Sequence, residues 1–220
     1  VPLFKEKNEY RATVSLGTGD ETTTADIQAA YSFTNQFAVM TNIMLAWGGE
    51  NNSNNSGKGQ CIEAAVGYFK PLGMNGVFEI YGGLGGSKQQ HYYINGGSAN
   101  LSFTKVFIQP SIGLTFNNVE IALTSGLSNI NFNNIHNQIA PGSREYLSVE
   151  QISKNKNSIL YEPYLTLRGG SKNVKLQFQF GLSSNLTNTD LGFEIFKLSG
   201  GLTFSFGQRF KTKNTETQSY

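Results

Sequence analysis

Catalysis or metal binding in this chain would have to come from two histidines, three aspartates or one cysteine, namely His91, His136, Asp20, Asp26, Asp190 and Cys61. A metal site needs convergent His, Cys or carboxylate ligands, and neither histidine has a carboxylate at ligand spacing. Both histidines fall in stretches that read as long polar loops. A single cysteine forms no internal disulfide and no thiolate-rich metal site. His136, Ser143 and Glu145 are the one grouping that resembles a nucleophile set. They too fall in a loop stretch, whereas a catalytic set needs a rigid support. The glycines Gly82, Gly83, Gly85 and Gly86 suggest a phosphate loop, but no Lys-Ser/Thr pair closes the motif. The residues therefore predict a chain with no catalytic centre, no metal and no cofactor.

The other residues with chemical potential are charges set inside alternating runs. Arg11, Asp26, Glu63, Glu79, Glu120, Glu162, Arg168, Lys175 and Lys197 each stand on the face opposite an apolar one. Successive strand residues point to opposite sides. One face of the sheet is thus predicted to be apolar, and the other to carry a network of pairing charges.

The elements that hold these charges are strands. Val174, Leu176, Phe178, Phe180 and Leu182 alternate with Lys175, Gln177, Gln179 and Gly181. Ile108–Phe116 and Val119–Leu127 follow the same rule, and seven further runs bring the series to about ten strands, from Tyr10–Leu16 to Leu202–Phe206. No segment shows a helical period. The connections then sort by length. Tight turns are predicted at 34–36, 71–76, 117–118 and 169–173, at the end where the termini lie. Longer loops are predicted at 48–59, 86–102, 129–157 and 183–189, with a smaller one at 17–23, at the opposite end. Outer-membrane barrels sort their connections this way, with short periplasmic turns and long outer loops. The predicted fold is all-β: an up-and-down antiparallel transmembrane β-barrel spanning 9–210. Residues 1–8 are expected as a periplasmic segment and 211–220 as a periplasmic tail.

Composition fits a barrel and narrows the partners. Charged residues make up 15% of the chain, below the 25–35% usual for a soluble surface. A soluble barrel with its apolar face inside is the alternative architecture, and it leaves a poorly charged face outward. The net charge of +2 is too small to imply nucleic acid. Phe33, Phe37, Tyr68, Phe78, Phe116 and Phe206 gather near the short-turn end, and Trp47, Phe178 and Phe180 join them on the apolar face. Aromatics placed so are expected to meet lipid and its interfaces.

Val1–Lys7, Ala29-Ala30-Tyr31, Gly67-Tyr68-Phe69, Phe78–Gly83, Phe107–Pro110 and the closing Gly201–Gly207 resemble outer-membrane β-barrel proteins of the Bacteroidota. The resemblance covers most of the chain and implies a bacterial outer-membrane location. It also implies a lipidated cysteine before the Pro-Leu-Phe segment, as in lipoprotein-type barrels. Cys61, by contrast, falls inside a strand. The family carries no common activity.

About ten strands with charged and large side chains inside should leave a narrow or plugged lumen, since water-filled channels appear at about 16 strands. The reading that follows is a non-catalytic barrel, serving as a structural or accessory subunit among outer-membrane lipids and other outer-membrane proteins. The alternatives are a narrow channel or small-ligand carrier, and a surface-binding protein acting through its outer loops. Tyr146–Glu150, in the longest of those loops, alternates as if to extend the wall.

Overall fold

The computed structural model describes residues 1–20, 22–49, 55–94, 97–187 and 195–210. Asn51–Asn54 of the polar 48–59 stretch, Asp190 and the tail 211–220 lie outside the described residues. The chain forms β1 (Tyr10–Gly19), β2 (Thr22–Ser32), β3 (Phe37–Gly48), β4 (Ser56–Leu72), β5 (Gly76–Tyr92), β6 (Ser98–Thr115) and β7 (Val119–Asn137). A helix, α1 (Arg144–Lys154), precedes β8 (Asn157–Gly170), β9 (Val174–Leu182), the two-residue β10 (Ser184–Asn185) and β11 (Phe196–Phe206). Each strand pairs antiparallel with the next, and β10 is a stub on β8. Closure comes from β11, which pairs with β9 on one side and β1 on the other, from Tyr10↔Phe206 to Gly19↔Lys197. Ten strands thus form a closed barrel without a free edge. That is the β-solution to a solvent that offers the backbone no hydrogen bonds.

The alternation sets the two faces as the sequence predicts. Val174, Leu176, Phe178, Phe180 and Leu182 all face outward, 40% to 58% exposed, while Lys175 and Gln177 between them are 2% exposed. Val14, Leu16, Ile43, Ile62, Leu84, Ile112, Leu123 and Leu202 continue this exposed apolar belt around the wall. A soluble protein would bury such a surface. Here it is the lipid-facing side of a membrane-spanning barrel.

The wall is taller than the alternation predicts. β4 to β7 run 17 to 19 residues, against the roughly 9–11 that cross a bilayer. Much of the predicted loops 86–102 and 129–157 is therefore strand, and His91 and His136 lie in β5 and β7. In the upper wall the phase of the pattern inverts. Lower β7 turns Ile121, Leu123 and Leu127 out and Glu120, Thr124 and Ser128 in. Above them Ile130 and Phe132 point in while Asn129 and Asn133 are exposed. Past the lipid the outside is water, so polar residues face out. In β6 a register shift at Ser102/Phe103 accompanies the inversion.

A helix stands where Tyr146–Glu150 alternates, which corrects that expectation. Ser143 caps α1 by accepting from the Tyr146 backbone N–H, Glu145 lies in the first turn and Lys154 in the last. These are the side-chain and charge placements that stabilise helix ends. Tyr146, Val149 and Ile152 recur every third residue and pack on an apolar cluster of Ala99, Leu101, Ile130, Phe132 and Leu160. Period three thus buries an apolar stripe where period two would expose it.

The lipid-facing reading makes a sharp expectation. Phe178→Arg, at the middle of β9, should cost about 2–4 kcal/mol in a bilayer. Unfolding of the lipid-reconstituted protein in denaturant checks it; a change within about 0.5 kcal/mol, as on a solvated surface, would remove the membrane assignment.

Candidate functional site

The candidate site is the lumen, whose charges are set by strand phase and register. Glu120, second residue of β7, points inward and stands opposite Arg168 of β8. Arg11 reaches it from β1 on the far wall, with its two terminal nitrogens donating to the two Glu120 oxygens. Arg168 Nη1 donates to Glu120 Oε2 at 3.1 Å, and Lys175 Nζ lies 3.6 Å from Oε1. One carboxylate, 1% exposed, therefore holds three buried cations. Gln177 fixes Arg168 by accepting from its Nε at 2.7 Å, and Thr203 donates to the same oxygen at 3.2 Å.

Of residues 1–8, expected as a periplasmic segment, residues 1–4 enter the lumen from the short-turn end, while Lys7 and Asn8 are exposed. Leu3 and Phe4 are fully buried. Phe4 packs among Ala38, Ala65, Phe69, Tyr81 and Phe107, and Leu3 against Val77 and Ala122. The backbone of the segment is satisfied by lumenal charges. Glu79 Oε1 accepts from Phe4 N–H at 2.9 Å, and Arg168 Nη2 donates to the Val1 carbonyl at 2.6 Å. Gly113 makes the room, because a Cβ there would stand 2.6 Å from Leu3 Cδ2. Leu3 itself adopts φ of 58°, a left-handed conformation costing on the order of 1–3 kcal/mol. Burying its side chain returns roughly 1.5–3 kcal/mol. A ten-stranded wall encloses more space than the eight-stranded wall its own side chains can fill, and this segment occupies the difference.

Outside the wall proper, Glu9 and Arg209 tie the segment to the closing strand. Arg209 Nη2 meets Glu9 Oε2 at 2.6 Å, and the Arg209 backbone N–H donates to Glu6 Oε1 at 2.7 Å. Burial, and then the neighbouring Arg209, hold the Lys5 ammonium below the ordinary lysine range.

A second layer lies above the Glu120 group. Lys105 of β6 bridges Glu63 of β4 at 3.1 Å and Glu162 of β8 at 3.0 Å. Ser128 and Tyr164 donate to Glu162 at 2.9 and 3.2 Å. The Tyr164 ring lies over Gly181, where a Cβ would come within 2.5 Å of it. Lys197 pairs with Asp26 at 3.5 Å. Between the two layers a polar cavity of about 130 Å3 is lined by Asp26, Asn42, Glu63, Lys105, Arg168 and Lys197, among others. The apolar cluster under α1 lies beyond it, inside the outer end of β6, β7 and β8.

Every charge that the pattern assigns to the lumen points inward, but in separate groups: Arg11, Glu120, Arg168 and Lys175; Glu63 and Glu162 through Lys105; Lys197 with Asp26; and Glu79 on the N-terminal segment. Lys105, Glu9, Arg209 and Tyr164 are absent from the sequence-derived set. Counting back by twos from Ser111 and Gln109 reaches Lys105, but Phe107 and Phe103 share its inward face and hide the polar period. Phe33, Phe37, Trp47, Phe116, Phe178, Phe180 and Phe206 are exposed on the outer face, while Tyr68 and Phe78 are half-buried. Tyr68 meets Phe37 edge-on with ring centroids 5.8 Å apart. The Ser143 hydroxyl is engaged as the α1 cap. No hydrogen bond joins it to His136 or Glu145 among the described residues.

No protein-family model and no curated protein matches the chain. Among solved structures it is similar to the translocator domain of the autotransporter NalP from Neisseria meningitidis. The identity is 9% and the TM-score 0.55, over 91% of this chain and 88% of that one. An outer membrane channel from Pseudomonas putida F1 aligns over 94% of this chain and 99% of its own length, at 12% identity and a TM-score of 0.43. At this level of identity the likeness is one of fold: the chain is a β-barrel of the outer-membrane type.

Glu120→Ala would leave Arg11, Arg168 and Lys175 buried around no anion. Breaking a buried pair typically costs about 3–5 kcal/mol, so folded, heat-modifiable protein on a gel should be lost at markedly lower temperature than in the parent. An unchanged transition would show that the three cations do not depend on Glu120.

Proposed function

We propose that this chain is a non-catalytic, non-conducting barrel that serves as a structural or accessory subunit of a larger outer-membrane assembly. The observation that carries this reading is the filled lumen. The N-terminal segment, with fully buried Leu3 and Phe4, occupies the short-turn end. Arg11, Glu120 and Arg168 span the lumen beside it, and an apolar cluster under α1 fills part of the other end. Between them remains about 130 Å3, room for a few waters and well below the roughly 300 Å3 at which ligand pockets begin. A barrel so occupied offers its partners its outer wall and its rims.

Two measurements test the reading. In planar bilayers the protein should show no large steady conductance, and Leu3→Ser with Phe4→Ser, which loosens the segment, should raise the current. Mild-detergent extraction from native membranes should recover the barrel in a stoichiometric complex with another outer-membrane protein. Porin-like currents from the unaltered protein, or its migration as a lone monomer after extraction, would overturn the proposal.

A further inference from the structure

We propose that the outer edge of the lipid-facing wall, over β3 to β5, binds the phosphorylated sugar headgroup of a lipid in the outer leaflet. The outward residues of β3 run from Phe37 at the short-turn end to Trp47. At about 3.3 Å per residue, along a strand tilted by about 40°, that stretch rises about 25 Å, the height of the apolar band in such barrels. Short turns mark the periplasmic end, so Trp47 stands at the outer edge of the band. Beside it the face turns cationic. Lys58 of β4 is the register partner of Trp47 on one side and of Gln90 of β5 on the other. Lys88 of β5 stands opposite Gln60 of β4. The two lysines are therefore diagonal neighbours on one face, about 7–8 Å apart along the backbone, and both are exposed.

No acid shares that face. The outward positions of β3 to β6 hold none, and among the described residues neither ammonium has an ion pair or a hydrogen bond. The one other outward charge among the described strand residues is Lys70, near the short-turn end of β4. Two like charges held as neighbours repel each other, and an anion between them relieves the repulsion. Phosphate accepts charge-assisted bonds from both, and these are the strong ones. Gln60 and Gln90 stand in the same two rows, with amides that both donate to and accept from hydroxyls, and the Tyr92 hydroxyl donates to Gln90 Oε1 at 3.4 Å. Amides and hydroxyls beside the cations suit a sugar that carries the phosphate. Toward mid-membrane the face becomes apolar, with Leu45, Ile62 and Leu84 exposed. Gly86, the next outward residue below Lys88, leaves a dip where a Cβ would meet only the Phe103 carbonyl oxygen, at 3.8 Å. One surface thus presents cations, then amides, then apolar side chains over a dip. A phosphorylated glycolipid presents phosphate, sugar and acyl chain in that order.

Trp47 is the single tryptophan of the chain, so its emission reports on this face directly. The experiment places the full chain in phosphatidylcholine nanodiscs holding increasing fractions of phosphorylated lipid A, of its dephosphorylated form, or of phosphatidylglycerol. With phosphorylated lipid A the emission of the parent should shift saturably, and at much lower fractions than with the other two lipids. Lys58→Gln with Lys88→Gln should raise the half-saturating fraction at least about tenfold. Lys70→Gln, which removes the outward cation at the opposite end, should leave it unchanged. If the double variant fails to fold on the heat-modifiable gel, each single substitution should still raise it about threefold. An equal response to the dephosphorylated glycolipid or to phosphatidylglycerol overturns the proposal. Equal binding by the folded Lys58 and Lys88 variants, or an equal loss in Lys70→Gln, does the same. An emission shift that appears without glycolipid when two barrels share a disc would assign the face to a second copy and overturn it as well.

Discussion

Everything in this molecule follows from closing one sheet in a solvent that cannot hydrogen-bond it. β1 pairs over its full length with β11, and the residues that make that seam, Tyr10–Gly19 and Lys197–Phe206, stand far apart along the chain. Once the seam forms, every one of the ten wall strands has a hydrogen-bonded neighbour on both sides. The side chains then have two destinations, lipid or lumen. A charge sent to lipid would cost several kcal/mol, and charges such as Arg11, Glu79, Glu120, Arg168 and Lys175 are accordingly turned to the inside and buried.

That commitment creates the second problem, which is what charges do in a narrow interior. Glu120 answers for three cations, and Lys105 for two carboxylates. These bonds cross between strands far apart in sequence, such as Arg11 with Glu120. They tie opposite walls together as well as satisfying charge. The N-terminal segment is part of the same arrangement. Its backbone is bound by Glu79 and Arg168, so the lumenal charges act as ligands for a piece of the chain itself. A transport path would need this space to be water. Here it is filled by Leu3 and Phe4.

Past the lipid the rules reverse. The long strands β4 to β7 continue into water, polar residues turn outward, and apolar residues such as Leu101, Ile130 and Phe132 turn in to meet α1. At membrane depth the interior thus holds the charge groups beside the apolar cluster around Phe4, and above it the inward side chains that meet α1 are apolar. A single strand such as β7 carries both codes in succession.

The strand alternation, the sorting of tight turns to one end and the inward side of charges such as Arg11, Glu120, Glu162 and Arg168 were legible in the sequence. They depend only on a local period of two and on the high cost of a charge in lipid. The phase inversion hid the upper wall, because a reading that seeks apolar residues on one constant face sees a loop where the face changes. α1 was hidden by length, since three apolar residues spaced by three within eleven are too few to stand out from alternation. Which cation meets Glu120, the place of Lys105 and the entry of residues 1–4 into the lumen are contacts across the barrel. They are fixed by register and closure, which bring together residues as distant as Val1 and Arg168. No local pattern encodes that distance, so tertiary structure alone decided what fills the lumen.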